Sequence, residues 1–441
     1  MFSNQSLRKL IIPIFLDQIL IITVGIIATI MLSYAGEAAV SGVSLVDMIN
    51  MLIVYLLVAL TTGGAVVVSQ YIGNKDKEQS CNAASQLITI SAVISVILTL
   101  FVVLFHKPLL RIIFGNIEPD VMEAAITYFV ISALSYPFLS LYDCGGALFR
   151  SMGKSSVQMI VSIIMNVLNL VGDAIGIFVL HAGVTGVAIA TLIARAVAAV
   201  IILYLCFNRK NEVFIRFSEI FSWNGKMIRR ILNIAIPNGI ENSIFQLGKV
   251  LLISIISMFG TAQIAANGIT NSLVMIAITF ATAINLAIVT VTGQCIGAGD
   301  YSQATYYTKK LIKLAYIGTI FSGIAEILFL KWILNIYALP AEVRQLTYIL
   351  VVIHNCFAML IWPISFTLAN ALRAAGDVRF TMVISISSMF IFRISVAYVL
   401  GVIFHMGVIG IWIAMGIDWT FRAIVYIIRF KSGKWKNFQV I

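Results

Sequence analysis

Charge is the scarcest commodity in this chain. Only 11% of its 441 residues are Asp, Glu, Lys or Arg, while 61% are hydrophobic, and the mean hydropathy is +1.04. A soluble domain carries about a quarter charged residues, and no water-soluble fold of this length could hide so much apolar surface. A soluble enzyme, a disordered protein and a nucleic-acid binder are therefore excluded, even at a net charge of +11. Cysteine is also sparse. Cys81, Cys144, Cys206, Cys295 and Cys356 are far apart, odd in number and in no paired motif, so neither a disulfide framework nor a metal site is indicated. No dense His/Asp or Ser/His constellation occurs at depth, which argues against an intramembrane enzyme and predicts no cofactor.

What the chain has instead is long apolar runs. A spanning helix needs roughly 20 apolar residues. Twelve runs meet that need, near 10–33, 45–72, 84–105, 121–149, 156–180, 184–207, 228–259, 263–296, 304–330, 343–372, 379–404 and 409–429. The fold class predicted is all-α integral membrane, with twelve transmembrane helices. The first run, after Arg8 and Lys9, is too long for a signal-peptide core and lacks a small-residue cleavage site, so it is counted as the first helix. With the N-terminus inside, 21 Lys and Arg fall in inner segments against 4 (Lys107, Arg111, Lys331, Arg344) in outer ones. This positive-inside bias predicts a multi-pass protein of the cell membrane with both termini cytoplasmic. The lack of an organelle-targeting extension fits a bacterial inner membrane.

The halves of the sequence repeat. At a shift of 224 residues, Pro13 meets Pro237, Gly36 meets Gly260, and Gln70, Ile72, Gly73, Asp76 and Gln79 meet Gln294, Ile296, Gly297, Asp300 and Gln303. His181, Gly183, Val184 and Gly186 likewise meet His405, Gly407, Val408 and Gly410. Clustered Gln, Asp and His matches at one offset are not a by-product of apolar composition. Six helices is an even number, so both halves insert the same way up, as a parallel repeat. The expected organisation is an N-lobe over 1–207 (helices 1–6), a basic cytoplasmic linker over 208–226, and a C-lobe over 227–441 (helices 7–12). Two matched pseudo-symmetric six-helix bundles suit rocking about a shared cavity, an arrangement for a transporter more than a channel.

The segments GGAVVVSQYIGNKD (63–76), VTGQCIGAGD (291–300), FRSMGKSS (149–156), NVLNLVGDAIGI (166–177), GVTGVAIATLIAR (183–195), LRAAGD (372–377) and GVIGIWIA (407–414) together resemble the multidrug and toxic compound extrusion (MATE) family over essentially the whole chain. That resemblance implies twelve helices in two lobes and secondary active antiport. Cationic or amphiphilic drugs or metabolites would leave in exchange for H+ or Na+. Gly293, Gly297 and Gly299 look like a dinucleotide fingerprint, but no strand precedes them; a tight turn after the eighth helix is the expected reading.

An acid at the bilayer centre costs about 2.5–3.5 kcal/mol on insertion scales, so each one needs a reason. Asp173 follows Asn169 by one helical turn, and both can address one ion. Thr191 on the sixth helix could face them. The resemblance implies that Asn169, Asp173 and Thr191 form the cation or proton site of the N-lobe, where Na+ could bind Asp173 and Asn169. The family's usual Asp on the first helix is replaced by Ala28, and Asp17 lies three turns earlier. Glu241 follows Pro237 by four residues, as Asp17 follows Pro13, so each lobe has one acid at an equivalent place. These two are candidates for the substrate cavity or for coupling, and the alternative for Glu241 is pairing with Arg8, Lys9 or Arg230. Asn242, Gln246 and Lys249 continue a polar stripe on the seventh helix, and Lys249 could pair with Glu241 or another acid. Asp418 and Arg422, four apart, are expected to pair. Glu326 and Asp47 are expected near outer helix ends in contact with water, and His354 as a satisfied packing residue. Expected partners are small organic cations and the lipid bilayer, for a monomeric chain. A flippase of lipid-linked precursors in the same superfamily is the alternative; it would want a basic cavity, whereas acids outnumber bases within the helices.

Overall fold

The computed structural model describes residues 2–115, 117–336 and 339–441. Helices account for nearly all of them, and twelve spans follow one another: α1 Asn4–Ser33, α2 Glu37–Gly73, α3 Lys77–Phe114, α4 Pro119–Leu134 with Tyr136–Ser151, α5 Ser155–Val179, α6 Gly183–Cys206, α7 Gly225–Ser257, α8 Thr261–Gly297, α9 Tyr301–Ile336, α10 Ala341–Ala374, α11 Val378–Ile403 and α12 Gly407–Lys431. Eleven are single helices long and apolar enough to cross a membrane; α4 is a pair bent by 44°. The bend departs from the uninterrupted helix expected over 121–149. Ser135 caps the first segment, and Pro137, with no N–H to donate, enters the first turn of the second. Pro363 opens a π-helical stretch, Pro363–Leu368, in α10, the repeat counterpart of α4.

The faces of α3 identify the solvent. Val93, Ile97, Leu100 and Leu104 are exposed, Leu104 at 71%, while Ser91, Ser95 and Thr99 are buried on the other side. Thr99 donates to the carbonyl of Ala133 at 2.8 Å. Polar inside and apolar outside is the arrangement that lipid imposes, because polar side chains find partners between helices and aliphatic ones face acyl chains.

The repeat is written into the backbone. Gly36 and Gly260 (φ 104 and 95), Gly183 and Gly407 (φ 53 and 58), and Gly153 and Gly376 (φ 73 and 90) hold the left-handed region at matched positions. Lys75 (φ 59) matches Gly299 (φ 72), so the glycine-rich stretch after α8 is a helix-ending turn. Asp76 and Asp300 cap α3 and α9 by accepting from the Gln79 and Gln303 amides at 3.0 and 2.9 Å.

The chain divides into two compact units, residues 2–239 and 240–440, with the division inside α7. The first part of α7 packs within the first unit. A Cβ on Gly63 would sit 2.7 Å from the Ile231 carbonyl oxygen, and Arg230 donates to the Tyr71 hydroxyl. The segment 208–224 is tied down by several side chains of α3: Gln86 donates to the carbonyls of Glu219 (2.8 Å) and Ser222 (2.7 Å) and accepts from the Asn224 amide (3.1 Å), Thr89 donates to the Ile220 carbonyl (3.0 Å), and Ser85 accepts from the Arg216 amide (3.0 Å).

Candidate functional site

In the first unit, α5 carries a polar face inside a mostly apolar helix. Ser162, Asn166, Asn169 and Asp173 follow at steps of four, three and four, which is one helical face. Asn166 Nδ2 donates to the Ser162 carbonyl at 2.8 Å and to its hydroxyl at 3.2 Å. Asn169 Nδ2 lies 3.0 Å from Thr191 Oγ1 on α6 and 3.4 Å from Asp173 Oδ1. The three residues singled out in this region thus lie together. Asp173 is 1% exposed, and among the described residues no Lys or Arg is within ion-pair distance of it. An ionised carboxylate there would have the Asn169 amide, at 3.4 Å, beside it and no positive charge among the described residues. That is an expensive state in hydrocarbon unless a cation or a proton joins it.

Close helix packing holds this face against α6. A Cβ on Gly172 would lie 2.7 Å from that of Ala190, and one on Gly176 would lie 2.8 Å from the Gly186 Cα. A π-helical segment, Ile175–Val179, begins two residues after Asp173. Such segments are frequent at functional sites.

Asp17 does not join Asp173. It is 4% exposed on α1, its polar neighbours are Ser162 and Arg150, and its Oδ1 has no hydrogen-bond partner. Ser162 lies eleven residues from Asp173, about 16 Å along the helix. Ala28 is half-buried on α1.

In the second unit, Glu241 binds Arg373 of α10 at 2.5 Å, and Asn370 accepts from the same guanidinium at 2.9 Å. Arg8, Lys9 and Arg230 are not its partners, and neither is Lys249. The Lys249 ammonium instead sits 5.5 Å above the Phe245 ring. Asn242 and Gln246 are half-buried beside it on α7. Asp418 and Arg422 pair at 3.2 Å, as their spacing predicts, and Arg393 of α11 joins the same carboxylate at 3.6 Å. A cation over an aromatic face gains about 0.5–2 kcal/mol, which is below the cost of an uncompensated charge at depth. The region around Phe245 therefore holds more positive charge than its own residues neutralise.

Glu326 was expected in contact with water. It is 4% exposed, and one of its oxygens accepts from Asn355 at 3.0 Å while the other has no partner. His354 bonds Asn355 Oδ1 at 2.9 Å and meets Trp412 and Trp419 edge to face, so it is packed and satisfied. Arg195 donates to Ser135 at 2.7 Å beside the bend of α4. Among the described residues no group of three or more His, Cys, Asp or Glu could hold a metal ion.

The comparisons with known proteins agree with this architecture. The family model described as MatE matches residues 13–175 and again 237–399, two segments whose limits differ by the repeat offset found in the sequence. The uncharacterized transporter YisQ of Bacillus subtilis is 26% identical over 437 residues, covering 98% of this chain and 94% of that one. A probable multidrug resistance protein NorM of Thermotoga maritima is 26% identical over 442 residues, covering 99% and 94%. Among solved structures, a MOP superfamily transporter from Pyrococcus furiosus, described for the reverse polarity of its binding pocket, superposes with a TM-score of 0.92. It is 21% identical and covers 98% of this chain and 96% of that one. An outward-facing MATE family multidrug resistance transporter superposes with a TM-score of 0.90 at 21% identity, covering 97% and 96%. The chain is a membrane transporter, not an enzyme, and belongs to the MATE family of multidrug efflux proteins.

Proposed function

We propose that this protein is a secondary active antiporter of the cell membrane, with both termini cytoplasmic, that exports amphiphilic organic compounds, cationic ones among them, in exchange for H+ or Na+. The observation that carries the reading is the buried carboxylate of Asp173, which meets Asn169, itself bonded to Thr191, and has no basic side chain paired to it among the described residues. A proton would neutralise it directly. Na+ would find three oxygen-bearing side chains, since the Asn169 amide can turn to present its oxygen, and hard cations prefer such donors.

Exchange follows from competition. A compound bound when Asp173 is ionised loses that state when the site takes its ion, so ion entry from outside favours release of the compound. Each unit of pH difference supplies about 1.4 kcal/mol per proton, enough to bias the cycle. Glu241 is held by Arg373, whereas Asp173 forms no ion pair among the described residues. The reading is tested by flux of a fluorescent cationic dye in proteoliposomes under an imposed pH or Na+ gradient. Movement driven by one of them supports antiport and names the ion. Equal flux with and without gradients would refute it.

A further inference from the structure

The second unit holds a cluster that ion coupling at Asp173 does not use. Three cations on three helices converge on one ring. The Lys249 ammonium lies 5.5 Å from the Phe245 centroid, the Arg393 guanidinium 5.1 Å and the Arg422 guanidinium 5.6 Å. Arg422 also lies 4.6 Å from the Phe366 centroid. The one carboxylate among them is Asp418, which both arginines share and which also accepts from Ser388. Three positive charges thus face one negative charge. The other buried acids of this unit's helices are engaged elsewhere, Glu241 with Arg373 and Glu326 with Asn355.

Donors are left over as well as charge. Arg393 and Arg422 are 8% and 3% exposed, yet the Nε of each is buried with no hydrogen-bond partner. Buried guanidinium N–H groups are nearly always bonded, so two orphans at one place point to an acceptor that the chain itself does not supply. Lys249 and Phe245 are half-buried, which leaves one side of the cluster accessible. Arg393 sits in a π-helical stretch, Met389–Ser395. That local widening is another mark of a functional position.

We propose that this cluster binds the carboxylate of an amphiphilic organic anion. Arg393 and Lys249 would meet the carboxylate, a planar group that a guanidinium fork matches and an ammonium can join. Phe245 and Phe366 would contact the apolar body. The substrate range then extends to organic acids and to zwitterions whose acidic end docks here. The inference rests on the chain being an exporter of amphiphiles and not on the identity of the coupling ion.

The test is equilibrium binding to the purified full-length protein, with no ion gradient, so that its outcome is separate from the outcome of the coupling experiment. Dansylglycine, a fluorescent aromatic carboxylate, is compared with its neutral isostere dansylglycinamide. The expected result is tighter binding of the acid, weakened by roughly ten- to hundredfold in Lys249→Gln, largely restored in Lys249→Arg, and unchanged for the amide. Among the described residues Lys249 makes no ion pair, so this substitution spares the Asp418 network. Equal binding of acid and amide, or an unaffected Lys249→Gln, would overturn the proposal. Displacement of dansylglycine by a polyprenyl phosphate at lower concentration than by a soluble aromatic acid would assign the site to a lipid headgroup instead. Displacement by chloride but not by gluconate would assign it to an inorganic anion.

Discussion

His181 and His405, 224 residues apart, hold the same left-handed backbone conformation, at φ 49 and 56. The turns around them match bond for bond. Leu180 donates to Ile175 and Phe404 to Val399, both at 2.9 Å, and Ala182 donates to Gly176 as Met406 does to Leu400. Each turn links the end of one span to the next in its own unit. A side chain in this region costs about 1–2 kcal/mol, more if it is β-branched. His181→Gly and His405→Gly are therefore expected to leave the thermal midpoint unchanged or raised in detergent. His181→Val and His405→Val should each lower stability by about 1–2 kcal/mol, with the two sites giving similar shifts. Unequal responses would argue against equivalent turns.

The approach of α5 to α6 depends on two glycines. A Cβ on Gly176 would lie 2.8 Å from the Gly186 Cα, and one on Gly186 would lie 2.7 Å from the Gly176 Cα. Backbone cannot yield as a side-chain tip does. Gly176→Leu or Gly186→Leu is expected to cost at least about 2–3 kcal/mol through overpacking. It should also reduce ion-driven flux by separating Asn169 from Thr191. Wild-type thermal stability with unchanged transport in either variant would refute this packing.

Glu241 and Arg373 form a nearly buried pair, with side chains 7% and 12% exposed. Removing one partner strands the other charge, at a typical cost of about 3–5 kcal/mol. Glu241→Ala or Arg373→Met alone should thus destabilise strongly. The double variant Glu241→Ala/Arg373→Met should recover much of the loss, because neither charge is then left unpaired. Additive losses in thermal denaturation would mean that the two residues act independently.

Gln86 anchors the segment before α7 together with Ser85 and Thr89, with two donated bonds and one accepted. Gln86→Leu is expected to cost about 2–3 kcal/mol, because it removes the partner of the Ser222 carbonyl and of the Asn224 amide. It should also open 208–224 to proteolysis. A cleavage rate equal to that of the wild type would show that the segment is held by other contacts.

Much of this arrangement is legible in the sequence, and the failures have physical causes. The spacing of Asn169 and Asp173 on one helix fixes a shared face whatever the tertiary packing, and Thr191 lies on the next helix. The polar parts of the helices are harder to read. α3 runs from Lys77 to Phe114, well past the apolar run 84–105, since hydrogen bonding continues after the lipid-facing residues end. The same effect misplaced Glu326: α9 continues ten residues further, to Ile336, about 15 Å of additional helix. The bend at Ser135 leaves hydropathy untouched and is marked only by Pro137. The cluster around Phe245 was invisible because its three cations come from α7, α11 and α12. A whole-chain tally of acids and bases averages the two units and conceals the positive excess of one of them.

Coupling of transport to an ion through Asp173 is tested by paired flux measurements on Asp173→Asn in proteoliposomes. Asn preserves the shape and the hydrogen bond to Asn169 but neither takes up a proton nor binds a cation as a carboxylate does. Exchange of labelled for unlabelled dye across the membrane without a gradient is expected to survive in the variant, while accumulation driven by a pH or Na+ gradient is lost. Gradient-driven accumulation at the wild-type level would contradict it and would move coupling away from Asp173.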